Sequence, residues 1–464
     1  MTAEAPTKRS HLRHPVLFVA MLAAAVRLLV LADIPLIISN DGVGYLSTAR
    51  DILKGRLDTI PIVKTPGYPV FLAGAFGTVG LGGLSVLVAQ HLVGVATAAV
   101  LAFALCRLYG RRWAIWLGSI AAVSPSLMVW ECYALTETLT VFFVVLAFAI
   151  ALCARPRWAW GVTLGFVLGS ACLMRPTVQL LVPLFALGWA WRLREGVGKR
   201  TVAVLAVAAG VLVSTGPWLV YNAQRGVYGM ARGGGVAFWW GVGLHGTLDP
   251  AFPLPPNLQA AAMRLPQGPA TAPQLSRFLT DTGTPGNAEL EGVLSAWARS
   301  SVRSRPGAYA MGAVRTLAGQ LDMGAGNDTA WALGRAGRDG RELGQAAGNF
   351  QVSEYSRDIE PFRMEGGRGF SARAAEWLAR NQIGGLPRIP LLLAAIIAGM
   401  RMALRRRWGE ALVVVGTGGL FVLHIALLLP HGRYGLPACA CWILLVPEAA
   451  VAIAQVIHAA RSRR

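Results

Sequence analysis

Charge is what this sequence has least of: 14% of its 464 residues are Asp, Glu, Lys or Arg. Soluble domains carry about 25%, so an ordinary water-soluble enzyme is excluded. Acids are scarcer than bases, 23 against 43. Cysteines number six, and all stand in or beside apolar runs: Cys106, Cys132, Cys153, Cys172, Cys439 and Cys441. None falls in the long polar stretch after residue 223, where a disulfide framework would be expected. Cys439 and Cys441 have no ligand partners nearby in sequence, so no metal site is indicated. No internal repeat of fixed period is present, which weighs against the duplicated architectures of many transporters.

What the chain has is apolar length. Hydrophobic residues make up 55% and the mean hydropathy is +0.51. Ten spans are predicted, at about 15–37, 81–106, 113–130, 136–154, 158–174, 176–193, 201–221, 387–404, 410–429 and 435–458. Those at 176–193 and 387–404 approach the lower limit of ~17–20 residues for crossing hydrocarbon. The expected fold is therefore all-α and polytopic. The first span has no small-residue cleavage site after it and reads as a retained helix, not a signal peptide.

Orientation follows from the basic residues. With the N-terminus inside, the inner segments hold nineteen Lys and Arg, and the short outer segments hold six. The positive-inside rule then places both termini in the cytoplasm of a multi-pass protein of the cytoplasmic membrane. Most of the +20 net charge lies on that inner face. There it sets topology and attracts anionic membrane lipid; nucleic acid is not the expected partner.

Three regions result: a module of seven spans over 1–223, a long outer segment over 224–388, and three further spans over 389–464. In the outer segment Leu290, Val293, Leu294, Trp297 and Val302 recur at helical spacing. Tyr309, Ala313, Val314 and Leu317 mark one face of a second helix after Arg305-Pro306. The proline-rich run 249–285 and the glycine-rich run 324–369 are expected to be irregular.

A polar island, Ser39–Pro69, separates the first span from the rest. Val43, Leu46, Ala49, Ile52 and Leu53 share one side of a helix, suited to lying in the interfacial plane. Asp41 stands just ahead of it. From position alone Asp41 is equally a helix N-cap and a general base. Lys64 precedes the rigid turn Thr65-Pro66-Gly67-Tyr68-Pro69 and is either a snorkelling anchor or a point charge for phosphate. Glu137 opens the fourth span with Glu131 nearby. It suits a helix start on dipole grounds. Arg175-Pro176 and Arg433-Tyr434 occupy two more outer turns. Acid, lysine and arginines on one face would build a polar site at the outer surface. Trp239, Trp240 and His245 are candidates for sugar or lipid contact, with interfacial anchoring at least as good a reading.

The chain resembles the GT-C glycosyltransferases that draw sugars from polyprenyl-phosphate donors, in particular the protein O-mannosyltransferase and aminoarabinose-transferase branch. The resemblance rests on Asn40-Asp41 with Tyr45 and Ala49-Arg50, on Lys64-Thr65-Pro66-Gly67-Tyr68-Pro69, and on Leu135-Thr136-Glu137-Thr138-Leu139. Leu173-Met174-Arg175-Pro176, Gly216-Pro217-Trp218-Leu219 with Tyr221-Asn222, and Arg433-Tyr434-Gly435-Leu436-Pro437 complete it. Trp297 to Leu317, broken by Arg305-Pro306, also looks like the outer helices of bacterial members.

That resemblance implies a GT-C-like bundle and an inverting sugar transfer at the outer membrane face. Asp41 would be the general base and Glu137 a second, supporting acid. Lys64, Arg175 and Arg433 would hold the donor phosphate, with Tyr45, Tyr68 and Tyr434 beside the substrates. The partners would be a polyprenyl-phosphate-linked sugar and a lipid, glycan or protein acceptor. No cofactor is called for; a divalent metal is left open. Two departures stand out: Gly42 occupies the place of a second acid, and Gly44 that of an arginine. A transporter or flippase of lipid-linked sugars is the alternative. It would place polar groups at mid-membrane, where Arg27, His91, His424 and Glu448 are the few candidates. A glycan polymerase or ligase with a pyrophosphate-linked donor is a third reading.

Overall fold

Apolar periodicity becomes helix almost throughout. The computed structural model describes residues 7–193, 196–283, 288–322, 386–422 and 436–462, with 360–362 and the single positions 364, 370, 373, 374 and 377. Among these there is no strand, only an isolated parallel bridge between Ile37 and Tyr133.

The first module comprises α1 (Thr7–Leu31), α2 (Asn40–Leu53), α3 (Gly67–Val79), α4 (Gly83–Tyr109), α5 (Arg111–Ala122) and α6 (Pro125–Glu131). It continues with α7 (Glu137–Cys153), α8 (Trp158–Met174), α9 (Leu181–Trp191, after the tight turn Pro176–Leu180) and α10 (Val197–Ala223). The middle segment forms α11 (Gly234–Leu244), α12 (Pro256–Ala262), α13 (Ala272–Thr282), α14 (Ala288–Ser304) and α15 (Pro306–Asp322). The last module holds α16 (Arg388–Leu404), α17 (Trp408–Val422), α18 (Leu436–Trp442) and α19 (Val446–Arg461).

Among the described residues each of the ten expected spans falls on one of these helices or on a helix pair, residues 423–429 of the ninth lying outside them. Arg13–Leu31, Gly83–Tyr109, Val197–Ala223 and Leu436–Arg461 are long and apolar enough to cross a bilayer, and α5 with α6 adds a fifth such span. α7, α8, Pro176–Trp191 and α17 are apolar but shorter. Two spans differ from expectation for reasons of proline chemistry. The first stops at Leu31, because Pro35 disfavours helical backbone at Ile34. The 113–130 span is bent by 49° between α5 and α6; Pro125 cannot donate to the preceding turn and starts a new helix instead.

The closest packing in the bundle joins α8 to α10. Gly161, Gly165 and Gly169 recur every fourth residue on α8. A Cβ at Gly165 would strike the Val207 carbonyl oxygen, and one at Gly210 the Val162 carbonyl oxygen. Small residues at this spacing let two backbones touch, which is how helices associate where hydrophobicity offers no preference. Gly165→Val is expected to destabilise the protein by at least ~1–3 kcal/mol, since a backbone carbonyl cannot swing aside. Gly216→Ala, facing open space on the same α10, should be neutral. Thermal unfolding in detergent compares the two.

The middle segment has its own core of Trp239, Val242, Leu275, Phe278, Leu294 and Trp297. Leu290, Leu294 and Trp297 are buried as the periodicity predicts, whereas Val314 is exposed. The expectation of irregular chain over 249–285 is corrected by α12 and α13. Two of the prolines there stand at helix starts: Pro256 opens α12, and Thr271 with Gln274 forms a capping box around Pro273. The run 324–369 lies outside the described residues apart from 360–362 and 364.

Candidate functional site

The Ser39–Pro69 island is shaped by distant segments. Ile37 donates its N–H to the Cys132 carbonyl at 2.8 Å and accepts from Ala134 N–H at 3.0 Å. The Tyr221 hydroxyl reaches the Leu57 and Ile60 carbonyls at 3.0 and 2.9 Å. Arg232 N–H donates to the Ile62 carbonyl at 2.8 Å. Thr65 Oγ1 donates to the Met174 carbonyl at 3.3 Å, and Gly67 lies so close to the Leu173 carbonyl that no Cβ fits there.

Inside this frame α2 begins two residues earlier than expected. Ser39 is the N-cap, its hydroxyl accepting Gly42 N–H at 3.2 Å. Asp41 is thus a first-turn residue whose carboxylate is not needed to cap the helix. Instead Asp41 Oδ1 lies 3.1 Å from Lys64 Nζ, with the two side chains 51% and 29% exposed. Lys64 Nζ also donates to the Asp41 backbone carbonyl at 3.4 Å and sits 4.5 Å above the Tyr45 ring. Three attractions hold the ammonium: carboxylate, carbonyl dipole and ring quadrupole. Tyr45 meets Tyr68 edge-on at 5.1 Å. Tyr68 is fully buried and donates to Gln90 Oε1 at 3.0 Å.

Both departures at glycine acquire a physical reason. A side chain at Gly42 would press on the Ala134 carbonyl oxygen at 3.0 Å, and one at Gly44 would come within 3.2 Å of Lys64 Nζ.

Glu137 and Arg175 form a second, deeper pair. Arg175 donates to Glu137 Oε1 at 2.9 Å and to Thr136 Oγ1 at 3.2 Å. The Glu137 side chain is 2% exposed and that of Arg175 14%. Glu137 and Tyr45 both act electrostatically on Tyr68, and Tyr45 is the ring under Lys64. The accessible acid is Asp41; Glu137 is committed to holding Arg175.

Beneath lies a cluster that sequence reading named only in pieces. Arg27 grips Glu131 with Nε at 2.8 Å and Nη2 at 2.6 Å, while His91 Nδ1 lies 2.6 Å from Glu131 Oε2. All three are at most 2% exposed. Arg27 also donates to the Ala23 and Ala122 carbonyls at 3.1 and 3.0 Å, bridging the bend between α5 and α6. Gln90, beside His91, donates to the Glu131 and Tyr133 carbonyls at 2.8 and 2.9 Å. Sequence reading missed Gln90; its signal was an amide within an apolar helix.

The remaining expected site residues are placed elsewhere or not described. Trp239 is fully buried, packed against Phe278 at 4.9 Å and Trp297 at 6.0 Å. Trp240 is partly buried against the same core. His245 is 8% exposed, with Nδ1 3.1 Å from Thr316 Oγ1 and its ring 5.3 Å from Tyr309. Burial pushes the Tyr309 phenol pKa up. These residues build the core of the middle segment, which accounts for their burial. Arg433 and Tyr434 lie outside the described residues, as does His424. Among the described residues no group of three or more His, Cys, Asp or Glu side chains is gathered as a metal site.

No protein-family model matches this chain, and comparison with curated protein sequences finds no match. Solved structures similar in shape include ArnT from Cupriavidus metallidurans bound to undecaprenyl phosphate, 18% identical, covering 93% of this chain and 77% of that one, with a TM-score of 0.41. The apo oligosaccharyltransferase of Archaeoglobus fulgidus is 12% identical over 99% of this chain and 53% of its own, with a TM-score of 0.48. The same organism's AglB, in complex with an inhibitory peptide and a dolichol-phosphate, gives 12% identity, 99% and 52% coverage, and a TM-score of 0.47. This chain therefore spans about half the length of the archaeal proteins.

Proposed function

We propose that the protein is a membrane glycosyltransferase that moves a monosaccharide from a polyprenyl-phosphate carrier to an acceptor hydroxyl, with inversion, at the outer face of the cytoplasmic membrane. The observation that carries this reading is the half-exposed Asp41–Lys64 pair over Tyr45, in the loop whose motifs resemble those of GT-C enzymes. The excess of basic residues in the alternate loops supports cytoplasmic termini and an outward-facing island.

In this mechanism the donor phosphate engages Lys64 from the bilayer edge, drawing the ammonium from Asp41. The freed carboxylate accepts the acceptor's hydroxyl proton as that oxygen attacks the anomeric carbon. The bond from the anomeric carbon to the phosphate oxygen breaks on the opposite face, and polyprenyl phosphate departs with the electron pair. Lys64 balances the charge that gathers on it, in surroundings where water is partly excluded. The buried Glu137–Arg175 pair supports the floor of the site. The middle segment covers it and selects among lipid, glycan or protein acceptors.

The test is transfer by purified protein from labelled polyprenyl-phosphate sugars to a panel of hydroxyl acceptors. Lys64→Met should raise the KM for donor by about 10–100-fold, the worth of one charge-assisted hydrogen bond, with the acceptor KM nearly unchanged. Absence of transfer across the panel, or an unchanged donor KM, overturns the reading.

A further inference from the structure

At the end of the bundle away from the island, α4, α7 and α8 diverge around a cavity of about 780 Å3. This is within the ~300–1,000 Å3 of small-molecule sites. Its walls are apolar: Val100 and Phe103 from α4, Leu146 and Ile150 from α7, Val167 from α8. Its mouth carries Arg107, Arg155 and Arg157, with Trp160 beside them. No carboxylate lines it among the described residues.

The charge at this end is divided in a telling way. Glu410 lies 3.6 Å from both Arg192 and Arg407, and Glu448 lies 2.7 Å from Arg401. The carboxylates described here are thus taken by other arginines. Arg107, Arg155 and Arg157 are exposed and form no ion pair among the described residues. Three arginines lining one pocket with no carboxylate in its lining favour an anion there, and a phosphate offers several acceptor oxygens to guanidinium groups.

Depth narrows the occupant. From Ala99 to Arg107 the α4 wall climbs roughly 12 Å at ~1.5 Å per residue, about one leaflet of a ~30 Å hydrocarbon core. Phe103 and Trp160 are each 45% exposed along it, and Trp160, three residues after Arg157, is of the side-chain type enriched at headgroup level. An apolar well one leaflet deep, lined also by three exposed arginines, fits a lipid standing upright in that leaflet.

We propose that this cavity is a binding site for an anionic diacyl glycerophospholipid, the phosphodiester held by Arg107, Arg155 and Arg157 and an acyl chain in the well. It is separate from the Asp41–Lys64 site and does not depend on the glycosyltransferase reading. General attraction of a basic surface to anionic lipid would not require these three arginines or the well.

The full-length protein, delipidated in detergent, is titrated with phosphatidylglycerol, phosphatidylcholine and polyprenyl phosphate, and binding is read by native mass spectrometry and thermal shift. Phosphatidylglycerol should bind one to one and tightly. Replacing Arg107, Arg155 and Arg157 together by Ala should weaken it about 100-fold, at roughly fivefold per arginine near a membrane surface. Removing Arg405, Arg406 and Arg461 instead, an equal loss of charge, should leave it unchanged. Ala99→Trp, filling the well while keeping the arginines, should also weaken binding. Equal binding of phosphatidylcholine, preferential binding of polyprenyl phosphate, or equal losses in both triple variants would overturn the proposal.

Discussion

Asp41→Asn is expected to lower kcat for transfer to a hydroxyl acceptor by about 10²–10⁴-fold, the usual worth of a general base. The substitution keeps the shape of the side chain and removes only its basicity and charge. It should leave the helix intact, because Ser39 caps α2. Ser39→Ala gives the converse pattern: about 1 kcal/mol of stability lost, with kcat retained. Turnover and thermal unfolding of the two variants together separate base from cap, an ambiguity that position in the sequence left open. Transfer by Asp41→Asn within about threefold of the parent would remove Asp41 from the chemistry.

The second large effect concerns stability. Arg27→Met leaves Glu131 buried beside His91 without the guanidinium that binds both of its oxygens. Breaking a buried ion pair from one side costs about 3–5 kcal/mol. The doubly substituted Arg27→Met, Glu131→Leu protein should recover most of that loss, since neither charge then remains unmatched. Unfolding free energies of the four proteins of this cycle, measured in one detergent, give the coupling directly. Losses that simply add would show the pair to be uncoupled. The Arg27 single variant should also lose transfer activity, through the path from Glu131 to Gln90 and from Gln90 to Tyr68.

What the sequence disclosed depended on whether the signal was local. Apolar run length alone located the spans, and helical spacing alone located α14 and α15. The Asp41, Lys64 and Tyr45 group was legible because all three lie within one short loop. Its details were not. That Ser39 rather than Asp41 caps α2 depends on a two-residue choice of helix start, which neighbouring polar residues leave undecided. The prolines of 249–285 read as breakers because the same residue both interrupts a helix and begins one. Only the Gln274 side chain returning to Thr271 distinguishes the second case. Trp239 and His245 read in sequence as candidates for sugar or lipid contact or for interfacial anchoring. Their burial depends on α13, α14 and α15 folding over them, a non-local fact. The Arg27–Glu131–His91 cluster joins residues up to 104 positions apart, and no spacing rule reaches that far.

The ties on Ile37, Leu57, Ile60, Ile62, Thr65 and Gly67 come from four separate stretches of chain. The island is thus a surface moulded by its neighbours, much as a key blank takes its profile from the cutter. Grafted alone onto a related scaffold, it would carry its chemical groups but leave their arrangement behind. Natural variation in what such a loop acts on would then arise as readily from changes near Tyr133, Met174, Tyr221 and Arg232 as from changes within the loop itself.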